Sequence, residues 1–128
     1  MLTSSPVSAT LPVVDLERAK KFYEGILGLK VVREDPSPGA ELQAGEGTSL
    51  YIYERAASKA DHTVARFTMK NVEAVVKELK AKGVVFEDVD VPRLKTVDGI
   101  ATMATPVGEF KGAWFKDTEG NILAIGNM

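Results

Sequence analysis

The chain of 128 residues has no cysteine. That excludes disulfides, thiolate metal sites and cysteine nucleophiles together. It has one histidine, His62, so a divalent metal would have to draw nearly all its protein ligands from carboxylates. It has no basic excess. Sixteen Lys and Arg against eighteen Asp and Glu leave a net charge of −2, and the basic residues are scattered, which argues against a nucleic-acid partner. No stretch approaches the ~20 apolar residues of a membrane span. The start, Met1 to Pro6, has neither a basic residue nor an apolar run of signal-peptide length, so a cytoplasmic location is the expectation. What is present is ordinary core material: 45% hydrophobic residues, enough for one packed domain over residues 1–128.

Period-two and helical patterns alternate along the chain. Val7 to Val14 reads as a strand, with Ala9, Leu11 and Val13 on its apolar face. Asp15 is an N-cap, and Ala19, Phe22, Tyr23, Ile26 and Leu27 form a helical stripe that ends at the C-cap Gly28. Leu29 to Arg33 follows as a strand. Ala40 to Ala44 and Ser49 to Tyr53 read as a hairpin around Gly45-Glu46-Gly47. After the polar stretch Arg55 to Asp61 the order restarts. His62 to Met69 is a strand, Asn71 caps a helix striped by Val72, Val75, Val76 and Leu79, and Gly83 ends it. Val84 to Phe86 begins the next strand, and Ile122 to Ile125 is the last, after a turn at Asp117–Asn121.

The sequence therefore predicts an α+β fold of two βαβββ modules, about 1–57 and 58–128. Each is expected to form a curved half-barrel, the two enclosing a cleft for a small molecule. Residues 88–109 fit neither a hairpin loop nor a linker. They are expected to form a partly ordered flap, with a short strand at Ile100–Met103.

By strand parity, the face away from the helices carries Ser8, Thr10, Tyr51, Tyr53, His62, Val64, Arg66, Ile122 and Ala124, with Trp114 beside them. Arg66 on that face would bind a carboxylate or phosphate bidentately, or would pair with Glu41 or another sheet acid. Tyr51, Tyr53 and Trp114 would stack on a flat ligand, or simply pack. His62 is a ligand contact, an acid–base group, or a solvated residue at a strand start. Met103 and Phe110 would line the flap end, or belong to the core. Asp98-Gly99 is a turn pair.

Three segments carry a resemblance. They are Leu11 to Leu29 with its Asp15-capped helix, Asn71 to Phe86, and Trp114-Phe-Lys-Asp117-Thr-Glu119-Gly120-Asn121. Together the chain resembles the vicinal-oxygen-chelate proteins, the glyoxalase and bleomycin-resistance fold. The resemblance implies a homodimer and a divalent metal with four protein ligands. The positions it points to hold Ser8, Tyr51, Val64 and Ala124, so neither metal nor cofactor is expected here. The reading that follows is a bleomycin-resistance-like protein that binds an aromatic or carboxylated small molecule without metal. The alternative is a divergent metal-dependent lyase, isomerase or dioxygenase. A partner-binding module ranks last, and fold alone decides none of these.

Overall fold

The computed structural model describes residues 1–128. The chain divides into two compact units, Met1–Lys59 and Ala60–Met128.

The first unit runs β1 (Ala9–Val13), α1 (Leu16–Lys20), β2 (Lys30–Asp35), β3 (Gly39–Gln43) and β4 (Ser49–Glu54). The side chain of Asp15 accepts from the Arg18 N–H and caps α1 as expected. The helix does not stay α-helical to Gly28. From Lys21 to Ile26 it widens into a π-helix, with the Leu27 N–H bonded back to the Phe22 carbonyl. Leu16, Ala19, Phe22 and Tyr23 are buried, as are Leu11 and Val13 of β1. The sheet order is β1-β4-β3-β2, with β1 parallel to β4. A bulge between Val31 and Arg33 leaves Val32 exposed and places Arg33 and Asp35 opposite Glu41 and Gly39.

The second unit repeats this order with an addition. It runs β5 (Thr63–Thr68), α2 (Val72–Ala81), β6 (Asp90–Val91), β7 (Leu94–Val97), β8 (Ile100–Thr105), β9 (Gly108–Lys116) and β10 (Ile122–Gly126). The Asn71 side chain accepts from the Ala74 N–H and caps α2. The sheet order β5-β10-β9-β8 matches β1-β4-β3-β2, and β7 and β6 extend it. Val72, Val76 and Leu79 of α2 are buried, as are Phe115, Leu123 and Ile125 of the sheet.

Four expectations are corrected. Residues 88–109 are not a flap. β6, β7, β8 and the start of β9 form a meander joined to the sheet, because Thr96-Val97 and Ile100-Ala101 flank a two-residue turn. Asp98 and Gly99 there take φ of 53° and 84°, the doubly left-handed turn that matches strand twist. Val84–Phe86 is not a strand; only Phe86 makes an isolated bridge, to Phe115. Strand β1 is shorter than Val7–Val14, since Val7 and Ser8 precede any ladder. Neither sheet closes on itself, so the expected half-barrels are open sheets ending at β1 and β2, and at β5 and β6. No helix is long and apolar enough to cross a membrane.

Candidate functional site

In the first unit, the sheet face away from α1 carries a polar network. Thr10 is in register with Tyr51, and Tyr51 with Glu41, which is opposite Arg33. The Tyr51 hydroxyl donates to Asp35 Oδ2 at 2.8 Å. Arg33 Nε lies 3.2 Å from Asp35 Oδ1, and its Nη1 lies 3.0 Å from Glu41 Oε1. The guanidinium sits 5.8 Å from the Tyr51 ring centre. Tyr53 stacks beside Tyr51, with centroids 6.5 Å apart and planes at 17°. Gly39 makes room for this. A Cβ there would lie 2.2 Å from the Tyr51 hydroxyl oxygen, so a side chain at 39 would force the Tyr51 ring to shift.

The network sets its own protonation. The hydrogen bond from Tyr51, and then that from Arg33, hold the Asp35 carboxyl below the usual carboxylate range. The same Asp35 carboxylate raises the Tyr51 phenol. Arg33 and Asp35 were not among the residues singled out from the sequence, and Glu41 was named there as a partner for Arg66. The alternation Arg33-Glu34-Asp35 next to Glu41 was the available signal, but the bulge at Val32 that aligns them was not visible. Ser8 stands apart from the network; its hydroxyl lies 3.1 Å from that of Ser49.

In the second unit, β5 breaks the simple parity count. Thr63 pairs with Ile122 and Ala65 with Leu123, so Val64 is an extra residue in a bulge. His62, Val64 and Arg66 therefore do not alternate on one face as expected. Beyond the bulge Arg66 pairs with Ala124, and Ala124 pairs with Trp114. Paired residues share a sheet face, so Arg66, Ala124 and Trp114 stand in one row across three strands. The Arg66 side chain is exposed and makes no hydrogen bond or ion pair. Its alternative partner Glu41 is bonded to Arg33.

Trp114 and His62 also line one groove of about 330 Å³, together with Asp61, Thr63, Glu87, Val89, Leu94 and Ile122. His62 is exposed, and its Nδ1 lies 3.1 Å from the Thr63 carbonyl oxygen. A carbonyl can only accept, so Nδ1 is the donor in that contact. Glu87 is held beside Trp114 by its own N–H, which donates to the Trp114 carbonyl at 2.7 Å. Met103 lies in β8 opposite Phe110, outside this groove. The Phe110 ring covers Gly112 and Gly126, so close that a Cβ on Gly112 would lie 2.4 Å from it.

The turn between β9 and β10 holds this row in register. Asp117, Glu119 and Asn121 are buried although polar. Asp117 Oδ1 accepts from the backbone N–H of both Glu119 and Asn121, each at 2.8 Å, and its Oδ2 accepts from Asn121 Nδ2 at 2.8 Å. One carboxylate thus satisfies three buried donors.

The family's metal positions do not fit a metal. Ser8 offers a hydroxyl engaged with Ser49, Tyr51 a phenol engaged with Asp35, and Val64 and Ala124 offer no donor. No three of the histidine, aspartate and glutamate side chains gather into a metal-holding group.

The β-α-β-β-β order stands twice in the chain, each time with a capped helix. The model of the glyoxalase/bleomycin resistance protein/dioxygenase superfamily matches residues 6–125, and the chain belongs to that superfamily. Among solved structures it is similar to an integron cassette protein from the mobile metagenome of the Halifax Harbour sewage outfall. That protein is 19% identical, with 98% of this chain and 99% of that one covered, at a TM-score of 0.72. A superfamily member from Sphaerobacter thermophilus is 21% identical over 98% of both chains, at 0.71. A lactoylglutathione lyase from Agrobacterium tumefaciens is 18% identical, covering 98% and 95%, at 0.70. At these identities the likeness carries the fold and not the activity. No curated protein matches the chain.

Proposed function

We propose that this protein binds a small aromatic carboxylate on the open sheet face of its second unit, without the family's metal. The observation that carries the reading is the row Arg66–Ala124–Trp114. Arg66 ends the row exposed and without an internal partner. Ala124 puts no bulky side chain in the way, and Trp114 offers an indole face. A guanidinium free of internal acids binds a carboxylate through two parallel hydrogen bonds. Arg33 in the first unit is different, because Asp35 and Glu41 already hold it.

Chemistry at the site is not required by this reading. The one hydroxyl beside His62 in the groove is that of Thr63, and the Nδ1 of His62 is turned to the Thr63 carbonyl rather than to that hydroxyl. The direct test is titration of the protein with benzoate and its methyl-substituted relatives, read by calorimetry and by Trp114 fluorescence. Trp114 is the single tryptophan, so its emission reports this face alone. Arg66→Ala is expected to weaken binding by about 1.5–3 kcal/mol, roughly 10- to 150-fold, the value of a hydrogen bond to a charged group. Equal binding by the uncharged benzamide, or no effect of Arg66→Ala, refutes the reading. Stoichiometric zinc, nickel, manganese or iron in protein purified without added metal refutes its metal-free part and favours the lyase or dioxygenase alternative.

A further inference from the structure

We infer that Lys80 is a positioning residue. It clamps the β7–β8 turn to the end of α2, and through that turn it holds Phe86 and Glu87 against Trp114. This goes beyond the carboxylate reading above and rests on it only in taking Trp114 as a ligand contact.

The Asp98-Gly99 turn is anchored from outside its own strands. The Lys80 ammonium, in the last turn of α2, donates to the Asp98 carbonyl oxygen at 3.0 Å. Gly99 lies close against Phe86. A Cβ there would be 3.1 Å from the Phe86 Cβ and 3.9 Å from Lys80 Cε. The turn therefore sits between the lysine stem and the phenylalanine. Phe86 packs edge-on against Phe115, with ring centroids 5.5 Å apart, and bridges it in the backbone. The next residue, Glu87, donates its N–H to the Trp114 carbonyl at 2.7 Å. A line of contacts thus runs from Lys80 through the turn and Phe86-Glu87 to Trp114.

Few ladder pairs hold the segment that this line secures. Phe86 makes an isolated bridge and belongs to no strand. β7 pairs with β8 at Thr96–Ala101 and Val97–Ile100, both beside the turn, and β6 pairs with β7 at two positions. Between β6 and β7, Arg93 takes a φ of 73°, a left-handed conformation that side-chain-bearing residues resist. Val89 and Leu94, at the two ends of this connection, line the groove beside Trp114. Whatever fixes the turn therefore fixes that wall of the groove as well. A single ammonium–carbonyl bond is modest, but it acts where the β6–β7 ribbon joins the sheet.

The test is amide hydrogen exchange by NMR on the full chain with no ligand added. Lys80→Met keeps the stem and removes the donor. The Glu87 amide is expected to exchange about 2- to 12-fold faster, the equivalent of one net hydrogen bond, while the Asn121 amide in the β9–β10 turn is unchanged. Lys80→Arg keeps a donor and is expected to stay within twofold of the wild type. Lys82→Met removes a positive charge from the same end of the helix, where Lys82 faces Glu78, and is expected to leave Glu87 exchange unchanged. An unchanged Glu87 rate in Lys80→Met overturns the inference. Equal acceleration at Asn121 also overturns it, because the loosening is then global. So does an equal effect of Lys82→Met, which would make helix-end charge the cause, or a rate in Lys80→Arg as fast as in Lys80→Met. These rates need no ligand, so failure of the benzoates to bind overturns the reading above and leaves this test to decide the clamp.

Discussion

Replacing Asp117 with alanine removes the acceptor that organises the β9–β10 turn. Three donors lose their partner at once: the backbone N–H groups of Glu119 and Asn121 and the Asn121 side-chain amide, each now 2.8 Å from a carboxylate oxygen. Glu119 and Asn121 are 6% and 2% exposed, so water replaces the carboxylate poorly. A net hydrogen bond to a charged group is worth about 1.5–3 kcal/mol, and leaving a buried donor unpaired costs about 1–3 kcal/mol. The three share one carboxylate and do not add, so the expected loss is about 3–5 kcal/mol. For a chain of this length that is a fall in Tm on the order of 10–20 °C. Asp117→Asn keeps one carbonyl oxygen and is expected to lose about half as much. Urea unfolding followed by Trp114 fluorescence measures both. Trp114 is three residues from the turn and pairs with Ala124 across it, so its native emission should also shift in Asp117→Ala. A loss below about 1 kcal/mol, or an unchanged emission spectrum, would refute the claim that this turn sets the register of the binding row.

The first unit gives two further predictions. Asp35 is held below the usual carboxylate range, so its contribution to stability is full above about pH 4 and is lost as pH falls through its lower folded value. Tyr51 is raised, so its contribution is full below about pH 10 and is lost as pH rises through its higher folded value. The Tm difference between the wild type and Tyr51→Phe should therefore be widest between these limits and narrow at both ends; a difference independent of pH from 2 to 12 contradicts the network. Gly39→Ala would put a Cβ 2.7 Å from Tyr51 Cζ and 3.1 Å from the Ile52 carbonyl oxygen. It is expected to cost about 1–3 kcal/mol by overpacking and to bring the Tyr51 phenol back toward its ordinary titration in an ultraviolet pH scan. A neutral substitution with unchanged titration would show that the ring does not need that space.

The amino-acid sequence by itself determined the repeat. Capping side chains, stripes at helical spacing and turn residues act within a few positions, so Asp15, Asn71 and the Asp98-Gly99 pair declare their roles locally. The absence of any ligating side-chain atom at Val64 and Ala124 was likewise a matter of residue type. What tertiary structure decided was facing and partnership. A single extra residue reverses every later side chain on a strand. The bulge at Val64 did this to the His62–Arg66 count, and the bulge at Val32 aligned Arg33 and Asp35 with Glu41. The same holds for the two arginines. Both stand on strands among alternating residues, yet Arg33 is neutralised by Asp35 and Glu41 while Arg66 is left free. Which acids come within 4 Å of an arginine depends on strand order and register, which long-range pairing sets after the local pattern is complete.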